Sequence, residues 1–209
     1  MGAVPIWLAP TGLCRGTDRR GPGIWSSSMS STDLADLLSA RIRDVADYPK
    51  PGVVFKDITP LLADHDAFSA LVEHLAERAR ELGATKVVGL EARGFILAAP
   101  AAYAAGAGFV PVRKQGKLPG ACYSQAYELE YGSAVLEVQQ DALAAGERVL
   151  VVDDVLATGG TVEAALELIH RAGAELAGVV VLMELGFLGG RERLAGHLGA
   201  APLETVITV

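Results

Sequence analysis

Residues 148–161 read Arg148-Val149-Leu150-Val151-Val152-Asp153-Asp154-Val155-Leu156-Ala157-Thr158-Gly159-Gly160-Thr161, and the architecture follows from them. Four apolar residues run together, two acids follow, and a small-residue turn carries two glycines. Beyond Thr161 the apolar positions Ala165, Leu166, Leu168 and Ile169 change to helical spacing. The pattern is strand, loop, helix. A strand that is apolar at every position is buried on both faces, as in a parallel α/β sheet. Ligands of such sheets bind beyond the carboxyl ends of the strands, which is where the acids and the turn fall.

The residue types specify a ligand. Residues 158–161 open a helix, whose unpaired N–H groups carry the positive end of the dipole. Glycine lets the backbone wrap closely around an anion, and threonine hydroxyls add donors. That suits a phosphate monoester. Asp153 and Asp154 suit a ligand that also offers hydroxyls or a bound Mg²⁺, and a sugar phosphate supplies both. No lysine follows the glycines, so the loop is not a Walker A motif, and the G-x-G-x-x-G dinucleotide pattern is absent.

The rest of the chain alternates in the same way. A helix opening at residues 31–33 carries Leu34, Leu37, Leu38, Ile42 and Val45 on one face. Tyr48-Pro49-Lys50-Pro51-Gly52 breaks it. A short strand at 53–58 is stopped by Pro60, and a helix runs over 66–82 to Gly83. Strands follow at 86–90 and 108–113, separated by an Ala-rich helix. Residues 122–139 read as a β-ribbon turning at Leu129-Glu130-Tyr131-Gly132. After the central helix come a strand at 176–182, a short helix within 185–198 and a closing strand at 202–209. Alternating strands and helices give a doubly wound parallel sheet. The pieces at 29–60 are left over and are expected to form a small hood over the strand ends. Residues 1–28 hold both tryptophans and a Ser-Ser-Ser run without periodicity. They are expected to be a disordered extension, with 29–209 as one domain.

Composition narrows the function classes. The chain has 209 residues, 51% hydrophobic and 21% charged, as expected of a soluble globular enzyme. A net charge of −7 argues against a general nucleic-acid binder. Cys14 and Cys122 make no disulfide framework, and the scattered His65, His74, His170 and His197 make no metal-ligand spacing. No apolar run reaches the roughly 20 residues of a membrane span. A reducing cytoplasm is the simplest location.

Residues 149–161 resemble the signature of the type I phosphoribosyltransferases, which bind phosphoribosyl pyrophosphate (PRPP). The resemblance implies that Asp153 and Asp154 hold the ribose hydroxyls, and that Ala157, Thr158, Gly159, Gly160 and Thr161 cradle the 5′-phosphate. Glu91-Ala92-Arg93-Gly94-Phe95 is similar to the family's pyrophosphate-binding loop, with Arg93 as a bidentate guanidinium and Ala92 where relatives often carry serine. Arg113, Lys114 and Lys117 lie in a segment similar to the mobile loop that closes over PRPP. Gln115 stands there where the adenine-using branch carries another basic residue. Arg113 is expected to serve the neighbouring subunit of a homodimer.

Two further segments resemble the adenine-using branch. In branches acting on 6-oxopurines the PRPP loop itself usually carries an acid, at the place of Ala157 here. Leu129-Glu130-Tyr131-Gly132 resembles the adenine branch's catalytic turn. Glu130 would share or donate a proton at N7 as N9 forms its bond, and Tyr131 would stack or hydrogen-bond above the sugar. Residues 51–57 are similar to that branch's hood segment, where Val54 and Lys56 read the base through the backbone and Phe55 lies against the ring. Val155 would also line the base pocket, where relatives commonly carry leucine. The implied reaction converts adenine and PRPP to AMP and pyrophosphate, with Mg²⁺ as cofactor bound mainly through PRPP. The competing readings are transfer to another base, such as hypoxanthine or xanthine, and a PRPP-sensing regulator without catalysis.

Overall fold

Val149 and Val151 point to one side of the central strand and Leu150 and Val152 to the other, and all four are fully buried. This strand, β7 (Arg148–Leu156), lies inside a seven-stranded sheet. The computed structural model describes residues 30–128 and 133–209. In it, β3 (Lys86–Leu90), β4 (Gly108–Lys114), β7, β8 (Glu175–Glu184) and β9 (Leu203–Thr208) run parallel in the order β4-β3-β7-β8-β9. The ribbon of β5 (Cys122–Glu128) and β6 (Ser133–Gln139) extends the sheet antiparallel to β4. The expected parallel sheet is therefore present, with an antiparallel edge. The turn between β5 and β6, with Glu130 and Tyr131, and the expected extension at 1–28 lie outside the described residues.

Both faces are covered. Val162, Ala165, Leu166 and Ile169 of α5 (Gly160–Arg171) pack on the face that holds Val88, Val151 and Val181. The opposite face, with Val87, Leu150 and Val180, packs α1 (Ser31–Ser39), α3 (His65–Glu81) and α4 (Gly94–Ala105). Gly89 permits the close approach of α4: a Cβ there would lie 2.8 Å from Ala98 Cβ and 2.9 Å from the Phe109 ring.

The hood corrects one expectation. The first helix, capped reciprocally by Ser30 and Asp33, ends at Ser39 and does not reach Val45. Residues Arg43–Ala46 form β1, antiparallel to β2 (Val54–Asp57). Cross-strand charge pairs tie this ribbon together: Arg43 bonds Asp57 at 2.5 Å and Lys56 bonds Asp44 at 2.9 Å, each opposite its partner in the register. Hydrogen bonds from Thr59, then Arg43, hold the Asp57 carboxyl down at about 2. A five-residue helix, α2 (Thr59–Ala63), follows where Pro60 marked only a strand end. Asp64 then caps α3 by accepting from the Asp66 and Ala67 amides.

Leu150 is fully buried in the middle strand. Leu150→Ala is expected to cost about 2–5 kcal/mol of stability, read as a lower urea midpoint at unchanged slope.

Candidate active site

The carboxyl ends of β3 and β7 meet at a cavity of about 310 Å³. Arg93, Asp153, Asp154 and residues 157–161 line it, so all the residues expected at the ribose phosphate except those of the basic loop are brought together. Gly159 makes the turn into α5 with φ +83°, a left-handed conformation that L side chains resist. The N-terminal turn of α5 therefore faces the cavity with its free amides.

Asp153 and Asp154 are only 8% and 5% exposed. Asp153 Oδ1 accepts the Asp154 backbone N–H at 2.9 Å. Arg93 Nη2 lies 2.7 Å from Asp154 Oδ2. Gly94 explains how Arg93 comes so near: a Cβ at Gly94 would stand 2.6 Å from Asp153 Oδ1, so only glycine lets the start of α4 rest on the acid pair. Of the two buried carboxylates, Asp154 is thus the one paired with the guanidinium. Burial first, and repulsion from Asp154 second, push Asp153 well above the ordinary carboxylate range. Burial also raises Asp154, against the pull of Arg93. An excess of hard oxygen donors beside a helix N-terminus fits sugar hydroxyls and a divalent cation that brings oxygens of its own. Among the described residues no cluster of three or more His, Cys, Asp or Glu could hold a metal alone.

A second cavity of about 180 Å³ adjoins the first. Val54, Phe55, Lys56 and Val155 line it, together with Ile58, Met183 and Leu185. Arg93, Asp154, Val155 and Ala157 border both cavities. The Arg93 guanidinium also stands 5.1 Å over the Phe55 ring, within cation–π range. Residues 53–58 thus supply one wall of the second cavity and the ends of β7 and β8 supply the other.

The basic loop stands apart from both linings. Lys117 Nζ pairs with Glu91 Oε1, the Lys114 amide donates to Glu91 Oε2 at 2.8 Å, and Arg113 Nε lies 3.4 Å from Glu91 Oε2. Arg113 also stacks over Phe95 at 5.9 Å. Glu91, which itself lines the larger cavity, was not singled out from the sequence. Met183 and Leu185 were missed as well. The rule that ligands sit beyond strand ends could have found them, since they close the strand next to β7.

A buttress behind the 157–161 loop was also missed. A Cβ on Gly190 would collide with the Ala157 carbonyl oxygen, and one on Gly159 would lie 2.9 Å from Gly190 O. Arg191 anchors this second turn by bonding buried Glu184 through Nε at 3.0 Å and Nη2 at 2.6 Å. Arg193 reaches Glu163 of α5 at 2.6 Å. The two turns therefore touch backbone to backbone.

The acid pair makes stability depend on pH. Folded pKa values raised above 3.8 mean that the native state binds protons more tightly than the unfolded chain. Their contribution is fully present below the unfolded value and is lost as pH rises toward the raised ones. Asp153→Asn is therefore expected to stabilise the ligand-free protein at neutral pH by about 1 kcal/mol and to flatten that decline. Urea titrations at mildly acid and neutral pH check this.

A family model described as phosphoribosyl transferase domain matches residues 61–193. An adenine phosphoribosyltransferase of Streptomyces coelicolor is 72% identical over 178 residues, covering 85% of this chain and 98% of that one. The crystal structure of adenine phosphoribosyltransferase from Rhodothermus marinus superposes with a TM-score of 0.79 at 47% identity, covering 85% of this chain and 99% of the other. The Saccharomyces cerevisiae enzyme, solved with D-2,5-dideoxy-2,5-imino-altritol 1,6-bisphosphate and adenine, gives 0.77 at 40%, covering 84% and 99%. The sheet is thus that of a known group, and the chain belongs to the adenine phosphoribosyltransferase family.

Proposed function

We propose that the two adjoining cavities hold the two halves of one reaction, in which adenine and PRPP give AMP and pyrophosphate. One observation carries the reading: Arg93, Asp154, Val155 and Ala157 border both cavities. A ribose held at the acid pair therefore has its anomeric carbon at the wall of an apolar slot wide enough for a base.

The chain's residues divide the work. The amides and hydroxyls of residues 158–161 bind the 5′-phosphate, and Asp153 and Asp154 accept the ribose hydroxyls. Asp153 and Asp154 would help hold a Mg²⁺ ion bound mainly through PRPP, which would supply positive charge to offset that of the leaving group. Arg93, Lys114 and Lys117 hold the departing pyrophosphate, and Arg113 serves that of the neighbouring subunit. Val54, Phe55, Lys56 and Val155 orient adenine so that N9 faces C1 of the ribose. The C1–oxygen bond to pyrophosphate breaks through an oxocarbenium-like state as the N9–C1 bond forms, so the residues act chiefly by position and charge. Glu130 handles the proton at N7, and Tyr131 covers the sugar.

The same reading takes the hood and the sheet as one domain and the molecule as a cytoplasmic homodimer. Ile96 and Tyr103 on α4, at 45% and 89% exposure, support a second copy covering that helix. No helix among the described residues is long and apolar enough to cross a membrane.

AMP formation from adenine and PRPP, with hypoxanthine and guanine as controls, tests the function; product from hypoxanthine at a rate equal to that from adenine would overturn it. Glu130→Gln is expected to lower turnover on the order of 10²-fold while PRPP binding is kept. Unchanged turnover would remove Glu130 from the chemistry. Gly190→Ala, which must displace the Ala157 carbonyl, is expected to raise KM for PRPP about 10-fold or more and leave KM for adenine unchanged; steady-state kinetics in each substrate separate the two.

A further inference from the structure

Glu91 has an unusual set of partners. Its side chain is 7% exposed, and every bond it makes comes from the segment 113–117. Lys117 contributes its ammonium, Lys114 its amide and Arg113 its guanidinium at 3.4 Å. Burial pushes the Glu91 carboxyl up, but Lys117, the Lys114 amide and Arg113 together hold it below the usual value, so it is ionised at neutral pH.

A second buried acid touches the same loop differently. Glu137, 8% exposed on β6, accepts the Gly116 amide at 2.9 Å and the Ser124 hydroxyl at 3.1 Å. Glu137 fixes the loop's backbone and engages none of its cations. Glu91 engages the cations themselves. Arg113 is incompletely satisfied by this arrangement: Nη1 donates to Lys117 O at 3.2 Å, while Nε is buried without a hydrogen bond. Arg113 is thus held only loosely by Glu91, and Glu91 itself stands at the wall of the larger cavity.

We propose that Glu91 is the internal counter-ion of the basic loop: its carboxylate holds Lys117 and Arg113 in the free protein, yields them to a diphosphate, and takes them back as pyrophosphate leaves. Glu91 is a positioning residue in this scheme. It acts through Lys117 and Arg113 and sets how tightly pyrophosphate is held and how fast it departs. The inference rests on the phosphoribosyl reading above for the identity of the anion. The physical reason is competition. An ion pair must be broken before the same cation can serve a new anion, and the carboxylate left behind repels the newcomer. Glutamine keeps the size and the acceptor for the Lys114 amide but removes the competing charge.

Calorimetric titration of inorganic pyrophosphate, in the presence of Mg²⁺, into the full chain and into Glu91→Gln tests this. The variant is expected to bind pyrophosphate about fivefold more tightly, the size of one partly exposed ion pair. Turnover should fall by a similar factor as release slows, and KM for adenine should fall with it, so that kcat/KM for adenine holds. Lys117→Met in the Glu91→Gln background should erase the gain. Glu91→Asp, which keeps the charge but shortens its reach to Lys117, should give a smaller shift in the same direction and serves if the glutamine variant does not fold. A merely structural role would weaken binding in both variants. Binding by the unaltered chain with no gain in a folded variant overturns this inference alone. No pyrophosphate binding by the unaltered chain overturns the phosphoribosyl reading and this inference with it.

Discussion

Two carboxylates at the end of a strand without solvent on either side set the terms for everything around them. Asp153 and Asp154 continue directly from Val151 and Val152, so their position is dictated by the burial of the sheet. Desolvation and mutual repulsion make the pair costly in the free protein. That cost is relieved by Arg93, and more fully by a ligand that brings donors or a cation. The strand holds the two acids in fixed positions at the end of the sheet.

The free protein already holds most of its functional cations in ion pairs. Arg93 rests on Asp154, and Lys117 and Arg113 on Glu91. Ligand binding in such a site is an exchange of partners, which keeps its net free energy modest while leaving geometry well defined. The arrangement also keeps the cations oriented near the cavity mouths, so less side-chain freedom is lost when the ligand arrives.

Close backbone contact is the third element. Gly94 brings α4 against the acid pair, and Gly190 brings the turn before α6 (Gly190–Leu194) against the phosphate loop. Each glycine is needed because a side chain would occupy space already taken by a neighbouring atom. Arg191, bonded to Glu184 and to the Leu203 carbonyl at 3.0 Å, transmits the position of β8 and β9 to that turn. The phosphate loop is thus supported from behind by parts of the chain about 30 residues away.

Local patterns carried much of this in the sequence. The apolar run 149–152, the following acids and the glycine turn specify a buried strand, a ligand edge and an anion cradle, because period and residue type act within a few residues. The same holds for Arg93 beside Gly94 and for the cations clustered at 113–117. Tertiary structure alone decided the rest. Residues Arg43–Ala46 leave the helix pattern for a strand that pairs with Val54–Asp57. Glu91 meets Lys117, Met183 joins Phe55, and Gly190 abuts Ala157 only once the sheet is assembled. Those contacts join residues far apart along the chain, and neither spacing nor composition encodes which distant partner a side chain will find.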